Sequence, residues 1–99
     1  MLINVGFYYR VKKGHEREFE EVAGKIFNQL RMTHPGFRDA KLYRNVNDPQ
    51  DYLLFSEWDD LDSFKSFISS DAYRDAVSYG RTIIEGRPLH RIMQQVEQQ

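Results

Sequence analysis

The sequence predicts an α+β domain with the ferredoxin-like element order β-α-β-β-α-β, in which the second helical region is split in two. Three observations support this. Hydrophobic residues alternate with period two near the N-terminus and change to a period of 3.6 over residues 15–31. Three later segments again have the character of strands. Pro, Gly or Asn-Asp clusters separate the segments. This order folds into a four-stranded antiparallel sheet with its helices on one face.

Composition favours a single folded domain over residues 1–99, with a core of about residues 2–96. Of the 99 residues, 40% are apolar and 14% are aromatic, which is enough to form a core. The net charge of −1 favours no nucleic-acid partner, and no apolar run is long enough to span a bilayer. The absence of cysteine excludes disulfides, thiolate metal sites and cysteine nucleophiles. We expect a cytoplasmic protein.

The first two elements follow from hydrophobic periodicity. Residues 2–12 form a strand, in which alternate residues share one face: Ile3, Val5, Phe7, Tyr9 and Val11. Residues 15–31 form an amphipathic helix, and its apolar stripe consists of Phe19, Val22, Ala23, Ile26, Phe27 and Leu30. The helix ends before His34-Pro35-Gly36, because a residue that precedes proline is disfavoured in helical geometry.

A hairpin follows the first helix. Residues 37–46 and residues 51–58 are predicted strands, and the cluster 47–50 (Asn-Asp-Pro-Gln) is the turn between them. The short connection makes the two strands antiparallel.

Two capped helices and a last strand complete the chain. Asp59-Asp60 can cap a short helix that carries Leu61, Phe64, Phe67 and Ile68. Ser69-Ser70-Asp71 starts another helix, whose apolar side carries Tyr73, Ala76, Val77, Gly80, Ile83 and Ile84. Gly86 and Pro88 end this helix, and residues 89–96 form the last strand.

The strands are apolar on both faces, and this predicts a homodimer. The third strand carries Tyr52, Leu54 and Trp58 on one side but also Leu53 and Phe55 on the other. Helices cover only one face of such a sheet. A second copy of the chain is the natural cover for the other face, which would give a dimeric α+β barrel.

Sequence motifs exclude several kinds of site. The chain has no G-x-S-x-G, no P-loop and no G-x-G-x-x-G, and its three histidines lack metal-ligand spacing. Residues 45–51 lack the glycine and the distal glutamate of a calcium loop. Helix capping explains the acidic cluster at residues 59–62. His90 is either a proton donor or cofactor ligand at a cavity mouth, or a surface or interface histidine.

Aromatic residues with polar tips suggest a pocket between the helices and the sheet. Tyr9, Trp58, Tyr73 and Tyr79 suit a flat hydrophobic ligand, although the same residues could form an ordinary core. Gly80 interrupts an apolar helical stripe, which indicates either close backbone packing or space for a ligand.

Several loose motifs, in a specific order, resemble the antibiotic-biosynthesis-monooxygenase family over nearly the whole chain. They are residues 11–16 (VKKGHE) with Phe19, residues 35–37 (PGF), residues 56–58 (SEW) with Phe64, and residues 70–73 (SDAY). The segment 86–90 (GRPLH) resembles a subgroup that occurs alone or joined to chlorite-dismutase-like, haem-associated domains.

The resemblance implies a homodimeric ferredoxin-like barrel with a pocket in each subunit. Family members include cofactor-independent oxygenases of aromatic polyketides and haem-degrading monooxygenases. The haem-degrading members use an asparagine, a tryptophan and a histidine at positions that match Phe7, Phe67 and Val77 here. At none of these three positions does this chain carry the residue type of the haem-degrading members, and Val77 cannot ligate iron.

Three functional hypotheses follow. The first is a cofactor-independent monooxygenase of a small phenolic or quinol-like substrate. The second is a haem-binding module in which His90 is an axial ligand, and the third is a non-catalytic dimeric stress or sensor protein. For the first hypothesis we expect no metal and no cofactor. Its predicted catalytic residues are His90, Tyr79 and Arg81, and its predicted substrate-contacting residues are Phe7, Tyr9, Trp58, Phe67, Tyr73 and Val77.

Overall fold

Residues 1–98 fold as three helices against one antiparallel sheet. The structure is a computed structural model that describes residues 1–98; Gln99, included in the predicted domain 1–99, lies outside the described residues. In chain order the elements are β1 (Ile3–Val11), α1 (Glu16–Thr33), β2 (Phe37–Asn45), β3 (Asp48–Trp58), α2 (Leu61–Ile68), α3 (Asp71–Gly80) and β4 (Ile84–Met93).

The sheet has the strand order β2-β3-β1-β4, and every neighbouring pair is antiparallel. This confirms the predicted ferredoxin-like fold with a split second helical region. None of the helices formed by residues 1–98 combines the length and the apolar character needed to cross a lipid bilayer.

The predicted turn between β2 and β3 is wrong in extent. The strands pair down to Asn45 and Asp48, so that only residues 46 and 47 form the turn. Residues 48–50, predicted as turn, belong to β3. Side chains supply local hydrogen bonds here: the Asp48 carboxylate accepts from the Gln50 backbone N–H at 3.1 Å. Strand pairing therefore overrides the turn preference of these residues.

The predicted end of the last helix is also wrong. The helix α3 ends at Gly80, and Ile84, predicted as helical, starts β4 by pairing with Val11. The last strand is therefore Ile84–Met93 rather than residues 89–96. Gly86 has φ = +68° and lies where the pairing of β1 with β4 is irregular. It accommodates a distortion inside the strand, since glycine adopts this conformation without steric cost.

Both predicted caps are confirmed. The Asp60 carboxylate accepts from the Ser63 backbone N–H at 2.8 Å, at the start of α2. The Ser70 hydroxyl accepts from the Tyr73 backbone N–H at 3.2 Å, at the start of α3. Each cap satisfies a backbone donor that would otherwise be unpaired.

The core lies between the sheet and the helices α1 and α2. Its centre is aromatic: the Trp58 ring lies 5.5 Å from that of Phe64 and 5.4 Å from that of Phe67. Phe37 makes an edge contact with Trp58 at 5.2 Å. In contrast, α3 has no fully buried residue. The core is therefore closed beneath α1 and α2 and incomplete beneath α3.

Candidate functional site

A cavity of about 530 Å³ lies between the helices α1 and α3 and the covered face of the sheet. This volume falls within the range of about 300–1,000 Å³ that is typical of small-molecule sites. Its walls are largely apolar and rich in rings. Polar and charged groups on the walls come from few residues: Tyr9, Ser56, Trp58, Tyr73, Tyr79, Arg81, Arg87 and His90.

All nine predicted site residues lie on the wall of this one cavity. The structure brings together Phe7, Tyr9, Trp58, Phe67, Tyr73, Val77, Tyr79, Arg81 and His90. They come from β1, β3, α2, α3, the connection after α3, and β4. Their common location is observed, while the catalytic and binding roles assigned to them stay predictions.

The cavity exists because the inner side of α3 carries small residues. Ala76, Val77 and Gly80 line it, and Ala76 and Val77 are only half-buried. A Cβ atom added at Gly80 would lie 3.2 Å from the Ile84 Cδ1 atom, so the glycine also permits close packing on β4. Gly80 thus packs closely on the Ile84 side chain and borders the cavity, while space for a ligand stays a prediction.

Hydrogen bonds fix the Trp58 ring. Its Nε1 atom donates to the Ser56 hydroxyl at 3.0 Å, and that hydroxyl donates to the Val5 carbonyl at 3.0 Å. Phe67 packs against the Trp58 ring, and Tyr73 in turn packs against Phe67 with the two ring centroids 5.1 Å apart. This wall is preorganised, because each ring is held by neighbours on different elements.

Two phenol groups supply polar contacts inside the cavity. Burial raises the pKa of Tyr9 far above its ordinary value, and burial also raises the pKa of Tyr73. Both phenols are therefore neutral at physiological pH. Within residues 1–98, neither hydroxyl has a hydrogen-bond partner, and no fully buried side-chain polar atom is left unsatisfied. The two hydroxyls are thus free to donate to a ligand.

Tyr79 is already engaged at the edge of the cavity. Its hydroxyl donates to the Glu18 carboxylate, and the His15 Nδ1 atom lies 2.9 Å from the other oxygen of that carboxylate. The hydrogen bond from Tyr79 is the largest cause that lowers the pKa of Glu18, and the bond with His15 lowers it further. The bond between Tyr79 and Glu18 also raises the pKa of Tyr79. This network ties α3 to α1 and keeps the Tyr79 phenol protonated.

His90 lies in the middle of β4 rather than at its start, where it pairs with Phe7. The two ring centroids are 5.5 Å apart. The residue is exposed, yet its ring faces the cavity. His90 is therefore both exposed at the surface and part of the cavity wall.

Sequence reasoning missed Arg87 as a site residue. It lies on the cavity wall, in the irregular part of β4 that Gly86 begins. The only signal was the Gly86-Arg87-Pro88 sequence, which indicates a break in regular strand geometry.

The described residues contain no cluster of three or more His, Cys, Asp or Glu that could hold a metal ion. Phe7, Phe67 and Val77 line the cavity but carry no metal-ligating atom. Of the three histidines, only His90 contributes to the cavity wall. A histidine ligand to iron from this cavity wall would therefore have to be His90.

Comparison with known proteins places the chain in a family. The family model described as antibiotic biosynthesis monooxygenase matches residues 1–79. The chain belongs to the antibiotic biosynthesis monooxygenase family. The family resemblance carried by the motifs between residues 11 and 73 is thereby confirmed.

Solved structures of this family's fold superpose closely on the chain. SnoaB, a cofactor-independent oxygenase from Streptomyces nogalater, has a TM-score of 0.83 at 18% identity and covers 98% of this chain and 95% of its own. A conserved protein from Methanosarcina mazei has a TM-score of 0.84 at 20% identity, with 97% and 94% covered. At such identities the likeness establishes the fold.

Curated relatives are considerably longer than this chain. A protein of Natronomonas pharaonis named "Putative heme-binding protein" is 31% identical over 86 residues, which are 87% of this chain and 14% of the relative. A Halobacterium salinarum protein of the same description is also 31% identical over 86 residues, which cover 87% of this chain and 17% of the relative. The chain thus spans less than one fifth of either relative.

Proposed function

We propose that the chain is a cofactor-independent monooxygenase of a flat phenolic or quinol-like substrate. The observation that carries the proposal is the ring-lined cavity of about 530 Å³ with two unpartnered phenol hydroxyls. Apolar walls accept the rings of a substrate, and a few polar groups orient its oxygen atoms. Membership of the family and the fold shared with SnoaB support the same reaction class.

The chemistry needs a substrate that can reduce oxygen itself. A phenol or an anthrone loses a proton, and the resulting anion transfers an electron to O₂. The radical pair combines to a hydroperoxide at carbon, which eliminates water to leave a carbonyl group. For a methylene carbon the balance is CH₂ + O₂ → C=O + H₂O: the substrate loses four electrons and O₂ gains four. The protein has to bind, orient and move protons.

The residues divide these tasks. His90 is the proposed base, because its imidazole lies on the cavity wall and imidazole is the commonest general base in enzymes. Tyr9 and Tyr73 are the proposed hydrogen-bond donors to the substrate oxygen, where negative charge develops after deprotonation. Arg81 stands at the edge of the cavity, where its positive charge favours an anionic substrate, while the Tyr79 hydroxyl at the same edge is held by Glu18.

The test uses 1,8-dihydroxyanthrone, an anthrone with a reactive methylene. Oxygen uptake and quinone absorbance are recorded together, and the autoxidation rate is subtracted. We expect one O₂ consumed for each quinone formed, and a loss of about 100-fold in rate in His90→Ala and in Tyr9→Phe. The matched controls are His34→Gln and Tyr43→Phe, which remove an imidazole and a phenol outside the cavity wall.

Wild-type protein that does not accelerate quinone formation above autoxidation would contradict the proposed activity. Equal rates for His90→Ala and the wild type, with intact folding by circular dichroism, would remove His90 from the mechanism. Tyr9→Phe tests the donor role in the same way.

Haem binding is the second candidate, and the curated relatives favour it. Iron in a bound haem would supply redox chemistry, and His90 is the residue that could serve as its axial ligand. Titration with haemin should then give a Soret shift that disappears in His90→Ala but not in His34→Gln. The absence of a shift in the wild type would rule this candidate out.

The uncovered face of the sheet supports the proposed homodimer. All four strands carry exposed apolar or aromatic side chains on this face. The largest are Tyr8, Tyr43, Phe55, Leu89 and Met93. Leu89 is 56% exposed and Tyr43 is 50% exposed. Light scattering after size exclusion should give twice the chain mass for the wild type and a smaller particle for Phe55→Glu. A wild-type monomer in dilute buffer would contradict the dimer.

A further inference from the structure

The charge on the cavity wall is unlike that of the whole chain. The chain has 15 acidic and 14 basic residues, with a net charge of −1. The described residues that line the cavity include no Asp, Glu or Lys. Its only permanently charged groups are the guanidinium groups of Arg81 and Arg87. The site is therefore purely cationic in a slightly acidic protein.

These two arginines also differ from the other arginines of the chain. Six arginines form ion pairs with Asp or Glu within residues 1–98: Arg10, Arg17, Arg31, Arg38, Arg44 and Arg74. A seventh, Arg91, lies over the Tyr8 ring at 5.7 Å. Arg81 and Arg87 have neither kind of partner among the described residues, although acidic residues are abundant on the surface. Their position on the cavity wall is what sets them apart.

Two acidic groups come near this part of the wall, Glu85 through the sequence and Glu18 through its hydrogen bond with Tyr79, and both are held elsewhere. The Glu85 carboxylate accepts from the Arg10 Nε atom at 3.2 Å, on the opposite face of the sheet. Glu18 accepts from Tyr79 and His15. Neither carboxylate lines the cavity, so neither neutralises the pair from within the wall.

Backbone geometry presents both side chains at the edge of the cavity. Arg81 is the C-cap residue of α3, and Arg87 follows the left-handed Gly86 in the irregular part of β4. Both residues are exposed, whereas Tyr9, Trp58 and Phe7 lie deeper on the same wall. Rings bound inside the cavity would therefore have their outer substituents next to the two guanidinium groups.

We infer that the ligand of this cavity is an aromatic acid, whose rings lie among the aromatic side chains and whose carboxylate is held at the edge by Arg81 and Arg87. The inference rests on the proposed function for the ring-binding part of the site. The planar guanidinium group matches a carboxylate with two parallel hydrogen bonds. An unpartnered pair of arginines beside an apolar cavity thus selects against a neutral ligand of the same shape.

Two sources could supply this chemistry. One is a small aromatic acid, and the other is a porphyrin, whose propionates are carboxylates on a flat ring system. Either ligand would be held by the same hydrogen bonds between carboxylate and guanidinium groups, and two pairs of probes distinguish the two sources. The first pair is anthracene-2-carboxylate and anthracene-2-carboxamide, and the second is haemin and its dimethyl ester.

Binding is measured by quenching of Trp58, the single tryptophan of the chain, which lies on the cavity wall. At low salt we expect the carboxylate of a pair to bind about tenfold more tightly than its neutral analogue, since exposed charge pairs contribute modestly. The preference should shrink as NaCl rises from about 0.02 to 0.5 M, because salt screens exposed charges. The pair that shows the preference identifies the source.

The decisive variant is Arg81→Gln/Arg87→Gln, which should bind the acid and its neutral analogue equally. Its control is Arg17→Gln/Arg74→Gln, which removes the same charge from exposed positions outside the cavity wall and should keep the preference. The two single variants repeat the test with less change in charge. Circular dichroism establishes that each variant is folded.

The outcomes separate this inference from the proposed function. Equal binding of acid and amide by the wild type overturns the inference and leaves the ring-binding site intact. A preference that persists in the double variant overturns the assignment to Arg81 and Arg87. If neither member of either pair binds, the ring-binding site fails, and the inference fails with it.

Discussion

The helices α1 and α3 cover the same face of the sheet, but they pack on it differently. The apolar side of α1 buries four residues, Phe19, Ala23, Phe27 and Leu30, while α3 buries none. Both helices are amphipathic, so hydrophobic patterning alone does not separate them. The difference lies in the inward side chains, because after Tyr73 the inner side of α3 carries only Ala76, Val77 and Gly80, whereas the buried residues of α1 include two phenylalanines and a leucine.

This difference separates a closed core from an open cavity, which is the proposed ligand site. The α1 side and α2 close the core, with Phe64 and Trp58 almost completely buried. The α3 side leaves space, and the polar groups of Tyr9 and Tyr73 face it without partners in the described chain. We therefore expect stability to depend on α1, and ligand binding on α3 and the start of β4.

The largest effect is expected in α1. Phe27→Ala removes a ring that is only 8% exposed, and it should lower the free energy of unfolding by about 3–5 kcal/mol. Urea unfolding followed by Trp58 fluorescence measures this. A loss below about 1 kcal/mol would show that α1 is packed no better than α3.

Glycines in the two helices allow a matched comparison. A Cβ added at Gly24 in α1 meets no atom within 4 Å, so Gly24→Ala should stabilise the protein by about 1 kcal/mol through helix propensity. Gly80→Ala should gain less, because its Cβ would press on Ile84 at 3.2 Å. Thermal unfolding of both variants checks the order, and an equal or larger gain at Gly80 would contradict it.

Substitution at the inner side of α3 should barely change stability. Val77→Ala loses a half-buried side chain but gains helix propensity, so the free energy of unfolding should stay within about 0.5 kcal/mol of the wild type. The same urea assay serves for this variant. A loss as large as that of Phe27→Ala would mean that α3 is part of the closed core.

The smallest effect on stability is expected for the hydrogen bond by which Tyr79 in α3 contacts Glu18 in α1. The hydrogen bonds from Tyr79 and with His15 lower the pKa of Glu18 in the folded state. A lowered folded pKa adds stability above the unfolded pKa, and this is lost as the pH falls through the folded pKa. Tyr79→Phe should therefore lower the melting temperature slightly at neutral pH, and the difference should shrink in acid. A difference that grows with acidification would contradict the direction.

Much of the fold could be predicted because its signals are local. Alternation in β1 and the apolar stripe of α1 each identify one element, and Asp60 and Ser70 mark two helix starts. The end of α3 could not be predicted in this way. Ile83 and Ile84 continue a helical pattern, and only pairing with β1 makes Ile84 part of a strand.

The site was partly predictable for a related reason. Tyr9, Trp58 and Tyr73 combine rings with polar tips, and this residue type favours ligand pockets wherever the fold brings such residues together. Arg87 has no such signal, because an arginine in a strand usually indicates a solvent-exposed position. Its place on the cavity wall depends on Gly86 and the irregular pairing of β4, which the sequence pattern does not specify.

The most direct test of the central claim is a crystal structure of the protein grown with 1,8-dihydroxyanthraquinone, the product of the proposed reaction. The account predicts that the rings lie between α3 and the sheet, with the ligand oxygens within hydrogen-bond distance of Tyr9 or Tyr73. A structure in which α3 packs directly on the sheet, so that side chains fill the cavity, would contradict it.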